Sequence, residues 1–285
     1  MMIYSLPKKP TSEILIILRV NTMLSEYFYA FFSDYVKKLS AYAWILTNGG
    51  DEMENKLYIS SPINAILEGF HRDDITIGSL REKGDFGIGT FNHLDGEMIA
   101  MDGSFMRLDF DGNARPAESD WKTPYAVMCH FKPTLTERID ALMDFGKFSE
   151  YLKRMLPSDN MFYAICMTGK FHSVDTRSVP KTEKNLPLAE VTPHQKVRHF
   201  KNIEGRLVGF YTPPFVPSVS VPGYHFHFIN SDFSEGGHLL SCAPESLEIR
   251  MQVFFSLELT LPKTLDYLTA SFVRDARRDL EKAER

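Results

Sequence analysis

Three Asp-Gly pairs, Asp95-Gly96, Asp102-Gly103 and Asp111-Gly112, follow one another closely behind Phe86 and constrain this chain more than any other feature. An Asp-Gly pair supplies the positive φ values of a tight hairpin turn, and the runs between these pairs are short and alternate in polarity. That pattern predicts a meander of antiparallel strands. Further strand signals cover 125–131, 162–167 and 170–174 around Thr168-Gly169, 207–212, 224–230, and the long alternation 248–259. Helical signals are fewer: 64–69, 76–83, 137–156 ended by Pro157, and a C-terminal helix opened by Pro262 and reaching Glu284. The chain reads as a β-dominated α+β protein, and the pattern leaves its topology open.

At 285 residues, with 44% hydrophobic and 24% charged residues, the chain can bury the core of one large domain or two modest ones. A net charge of −5 offers no basic footprint for nucleic acid. Cys129, Cys166 and Cys242 are odd in number, far apart and without a CxxC pair, which suits a reduced cytoplasmic setting and small buried apolar roles. Near the start, the apolar run 14–20 is interrupted by Arg19, and Glu26, Asp34, Lys37 and Lys38 follow. No stretch reaches the ~18 uncharged residues of a membrane span, and these charges spoil an otherwise loose likeness to a signal peptide. Residues 25–46 have the pattern of an aromatic-rich amphipathic helix.

His225, His227 and His238 lie in the run VPGYHFHFINSDFSEGGHLL. The aromatic and β-branched neighbours of the first two favour a strand, where side chains at i and i+2 emerge on one face. Gly236-Gly237 is expected to form a turn that swings His238 back onto that face. Three neutral imidazoles around a divalent ion, with a position left open, make a catalytic zinc site. No fourth His or Cys stands at metal-like spacing. Spacing alone leaves open a second reading, two satisfied polar side chains on a strand.

The blocks GDFGIGTFNHLDGEMIAMDG (84–103) and FYAICMTGKFHSVDTRSVP (162–180), taken with the histidine run, resemble the α-acetolactate decarboxylase family. The resemblance spans about residues 55 to 284, in the family's order and spacing. It implies an enzyme that removes CO2 from 2-acetolactate to give acetoin, through a zinc-stabilised enediolate, in acetoin and 2,3-butanediol biosynthesis. It also implies an N-terminal mixed β-sheet module packed on a C-terminal barrel-like β module, in a homodimer with sheets joined across it. The three histidines match the family's zinc ligands. A small anionic substrate is then drawn by local positive charge, because the chain as a whole is negative.

Arg177, in DTRSVP, matches the family's active-site arginine. An α-hydroxy carboxylate suits a planar, bidentate cation, although a surface position is the ordinary fate of an arginine. Glu97, after Asp95-Gly96, matches a glutamate that faces the metal, and partial burial would lift its pKa enough for it to donate a proton to carbon. Glu284, in the closing EKAER, fits a glutamate brought in from the C-terminal tail, with Glu281 as a neighbouring alternative. Thr90 matches a residue lining the site, suited to hydrogen-bond a carboxylate or a metal-bound water. His93 stands where the family is often small, either narrowing the pocket or lying at the surface. Cys166 and Met167 replace a frequent basic residue and are expected on a strand outside the metal shell.

Two other readings compete. A cupin-like metal enzyme would carry HxHxxxxE, but Ser231 and Asp232 stand four and five residues after His227. A binding module that only staples two strands would have no use for Arg177 and Glu97. Residues 1–52 lack counterparts in most of the family, so the decarboxylase domain is expected over 53–285. Gly49-Gly50-Asp51-Glu52 before Met53 can be encoded by a purine-rich ribosome-binding sequence, which suggests a start at Met53. A genuine extension carrying the 25–46 helix is the competing view.

Overall fold

The computed structural model describes residues 55–272, so the expectations for residues 1–52 and for Glu281 and Glu284 lie outside the described residues. Its strands are β1 (Lys56–Ile59), β2 (Ile75–Thr76), β3 (Phe86–Thr90), β4 (Glu97–Met101), β5 (Ser104–Leu108), β6 (Ala114–Pro116) and β7 (Lys122–Thr123). They continue as β8 (Tyr125–Cys129), β9 (Leu135–Ile139), β10 (Phe162–Ser178), β11 (Lys196–Thr212), β12 (Gly223–Asn230), β13 (Gly236–Phe254) and β14 (Ser256–Leu259). The helices are short apart from Phe145–Met155. Among the described residues no helix is long and apolar enough to cross a membrane.

The expected meander is present as β3-β4-β5-β6, antiparallel in sequence order. Asp102 and Gly103, with φ of 50° and 75°, form the two-residue turn between β4 and β5. Asp95-Gly96 instead closes a six-residue loop, 91–96. The meander belongs to a seven-stranded sheet of order β14-β1-β8-β3-β4-β5-β6, mixed because β1 and β14 run parallel. A second sheet runs β10-β11-β12-β13-β9, and β13 also pairs with β10, so its pairings return to where they began.

The two sheets share one core. Ile88, Ile99 and Val127 of the first meet Ala164, Val208, Phe210 and Ile229 of the second. The opposite face of the first sheet buries Met98, Ala100, Phe105 and Met128 against Ile77 and Leu80 of the helix Ile77–Arg81. Strands β3, β4 and β8 are therefore buried on both faces and lack the polar-apolar alternation of a half-exposed strand.

Four expectations are corrected. Residues 137–156 are not one helix: 135–139 form β9 along β13, with Arg138 opposite Glu248 and ion-paired to it at 3.2 Å. The helix begins only at Phe145, where the Asp144 side chain accepts a hydrogen bond from the Lys147 amide. Thr168-Gly169 is not a turn between two strands, because β10 runs straight through it. A Cβ on Gly169 would run into the carbonyl oxygen of Ser246, so this glycine permits a close approach of strands. Gly236-Gly237 likewise lies inside β13, opposite Ile229 and Phe228, and the hairpin turn precedes it. Finally, the helix after Pro262 spans only Leu265–Thr269 among the described residues; Ala270 is extended, and the chain sets Phe272 against Tyr267 and Phe70.

His71, buried behind the loop 91–96, gives the fold a pH dependence. Its ring Nε2 lies 3.1 Å from the carbonyl of Ile66, and burial lowers its pKa to about 4. The unfolded chain binds this proton near pH 6.5 and the folded chain does not, so this contribution is complete above pH 6.5 and is lost as pH falls toward 4. The loss amounts to about 3 kcal/mol at most. In urea titrations between pH 7 and pH 4, His71→Gln should flatten the decline in stability; an unchanged slope would remove His71 as its source.

Candidate active site and metal centre

The register of three strands assembles the histidines. On β12, His225, His227 and Ile229 alternate with Phe226 and Phe228, and Ile229 belongs to the core between the sheets. Period two therefore turns both imidazoles toward that space. On β13, His238 is the cross-strand partner of His227, and on its other side it pairs with Arg177 of β10. Residues directly opposite on neighbouring strands sit side by side, so His227, His238 and Arg177 form a row across three strands. Gly237 lets β13 lie close to β10, since a Cβ there would come within 2.8 Å of the Arg177 carbonyl oxygen.

The first sheet supplies the opposite wall. Glu97 opens β4 on the same face as Ile99, and its cross-strand partner is Thr90 at the end of β3. One Glu97 oxygen lies 3.5 Å from His227 Nε2 and the other 3.9 Å from Arg177 Nη1. Arg177, Glu97, His227 and His238 are all buried, and His225 is half-buried. Six of the seven residues matched to the family's site thus converge on one space; the seventh, Glu284, lies outside the described residues.

One ring nitrogen from each of His225, His227 and His238 falls within 4.8 Å of the other two. His225 Nε2 and His238 Nδ1 are 3.2 Å apart. His227 Nδ1 lies 2.9 Å from the carbonyl oxygen of Met98. A carbonyl only accepts, so Nδ1 must carry the proton, and Nε2 presents a lone pair. That Nε2 is buried and makes no hydrogen bond. Burial pushes the pKa of His225 well below its ordinary value and that of His227 to about 4, with Arg177 adding to both shifts. These imidazoles are therefore neutral near pH 7, the form that binds a metal. A backbone carbonyl holding the distal N–H is also the usual support of a ligating histidine. The donor set fits a divalent ion.

Glu97 behaves differently. Burial raises its carboxyl to about 7, while the Arg177 guanidinium pulls it the other way. Near neutral pH it holds a proton part of the time, as a general acid requires. The Thr90 hydroxyl already donates to the Gly96 carbonyl at 2.9 Å, which leaves it an acceptor toward the pocket. Donation from Thr90 to a carboxylate would first break that bond.

These groups line an open pocket of about 450 Å³, mouth included. Its other walls, Ile63, Ile66, Leu94, Tyr125, Val179 and Leu188, had no sequence signal, because an apolar residue in a pocket reads like one in a core. The Met98 carbonyl was equally hidden, being backbone. His93 is not part of the lining; its imidazole pairs with Glu183 at 3.1 Å. Cys166 and Met167 are buried within β10, away from the pocket.

The family model for alpha-acetolactate decarboxylase matches residues 57–274. The chain is 39% identical to the alpha-acetolactate decarboxylase of Methanosarcina mazei, over 80% of each chain. It is 37% identical to that of Bacillus subtilis strain 168, over 82% of this chain and 92% of the relative. The crystal structure of the alpha-acetolactate decarboxylase from that Bacillus subtilis strain superposes with a TM-score of 0.78, covering 80% of this chain and 99% of that one. From its sequence and its fold alike, this chain belongs to the alpha-acetolactate decarboxylase family and is an enzyme of the decarboxylase class.

Proposed function

We propose that this protein decarboxylates 2-acetolactate to acetoin and CO2 with a zinc ion held by His225, His227 and His238. The observation that carries the reading is the buried Nε2 of His227, which makes no hydrogen bond and is set beside two further imidazoles, a guanidinium and a protonatable carboxyl. A bound zinc ion, its charge undiminished by neutral ligands, supplies Lewis acidity toward the ketone and hydroxyl oxygens of the substrate. Arg177 binds and orients the substrate carboxylate, which a planar guanidinium can hold through two hydrogen bonds. Loss of CO2 breaks the bond from the carboxylate to C2, and its electron pair moves into the C2–C3 bond and onto the ketone oxygen. The resulting enediolate takes a proton at C2, and Glu97 donates it. One proton is consumed for each CO2 released, so Glu97 must be reloaded from solvent. The apolar walls limit water around the developing charge.

The reading is tested by metal analysis combined with an acetoin assay. Purified protein should carry about one divalent ion per chain, and chelation should abolish acetoin formation until zinc is restored. His227→Ala should lose both metal and activity; a metal-free variant that still forms acetoin would end the proposal.

Arg177 and Glu97 should separate by their kinetics. Arg177→Lys keeps the charge but loses the fork, so kcat/KM should fall by roughly 10-fold or more with metal content unchanged. Glu97→Gln removes the proton but keeps the shape, so kcat should fall by about 100-fold while KM changes little. Turnover like that of the parent in either variant would take that residue out of its role.

A further inference from the structure

The loop 91–96 between β3 and β4 joins Thr90 to Glu97 and places Leu94 in the pocket wall. His93 and Leu94 have φ of 67° and 56°, so two successive non-glycine residues stand in the left-handed region. Side chains with a Cβ disfavour that region, and such a conformation persists only where the surroundings enforce it. Leu94 is the one non-glycine residue of the pocket lining, among the described residues, with a positive φ.

The surroundings clasp the loop from two sides. On one side the His93 amide donates to the His71 carbonyl at 2.7 Å. Asn92 and Asp73 exchange two hydrogen bonds at 3.1 and 2.9 Å there. On the other side the Thr182 amide donates to the His93 carbonyl at 2.8 Å, the His93 ring meets Glu183 at 3.1 Å, and Lys181 meets Asp95 at 3.5 Å. The clasp holds Leu94 only 2% exposed.

The pocket lining is of two chemical kinds. Arg177, Glu97 and the three histidines are polar; Leu94, Ile63, Ile66, Val179 and Leu188 are apolar. A 2-hydroxy-3-keto acid must present its carboxylate, hydroxyl and ketone to the polar part, which leaves its alkyl groups against the apolar part. We propose that Leu94 limits the size of the alkyl group on C2 of the substrate, and that His93 is a positioning residue that holds Leu94 in place. The inference rests on the reading of the site as a 2-acetolactate decarboxylase.

The test compares 2-acetolactate with the homologue carrying ethyl in place of methyl on C2, in the zinc-loaded full chain. Leu94→Ala should raise the ratio of kcat/KM for the ethyl over the methyl substrate by about 10-fold or more, the range set by one methylene in an apolar pocket. His93→Gly accepts the same φ freely but loses the ring held by Glu183, and it should raise the ratio by about two- to five-fold. A role in folding alone would lower both substrates together, and a ratio that stays at the wild-type value overturns the inference. Should Leu94→Ala lose its fold, the ratio in His93→Gly decides. A wild-type enzyme that releases CO2 from neither substrate overturns the functional reading and this inference with it; turnover with an unmoved ratio overturns the inference alone.

Discussion

The hydrogen bond from His227 Nδ1 to the Met98 carbonyl is the constraint on which the site depends. It joins β12 of one sheet to β4 of the other across their shared core. It also decides the tautomer, because the acceptor is a carbonyl, and so aims the Nε2 lone pair into the pocket. Met98 follows Glu97 directly in β4, so the same contact brings the carboxyl of Glu97 within reach of His227. One interaction thus sets sheet against sheet, the tautomer of His227, and the spacing of His227 and Glu97.

Burying this many polar groups is unfavourable unless each is neutral or partnered. The fold meets the condition mostly by neutrality. Desolvation keeps His225 and His227 uncharged and raises Glu97 to about 7. The Arg177 guanidinium stands 3.9 Å from the Glu97 carboxyl. The same desolvation that costs stability therefore leaves His225 and His227 neutral and Glu97 protonatable near pH 7.

Part of this was legible in the residues. Positive φ at Asp102 and Gly103 is local chemistry, and the turn formed where the sequence placed it. The HxH pair on a strand is also local, since period two requires no knowledge of partners. Glycines were harder to read. Gly169, Gly236 and Gly237 look like turn formers, yet all lie inside strands, where their missing Cβ admits a neighbouring backbone. Residues 137–139 read as helical because the link of β9 to β13, more than a hundred positions away, has no local sign.

The sequence alone carried the β-dominated class, the meander, and six of the polar side chains that meet in the pocket. Those depend on turn propensity, alternation and side-chain type, all encoded within a few positions. The tertiary structure alone decided that His238 stands between His227 and Arg177, because that follows from the register of three strands distant in sequence. It alone decided the protonation states, which follow from burial between two sheets. It alone decided that Leu94 enters the pocket, because the clasp holding its left-handed loop comes from residues 71–73 and 181–183.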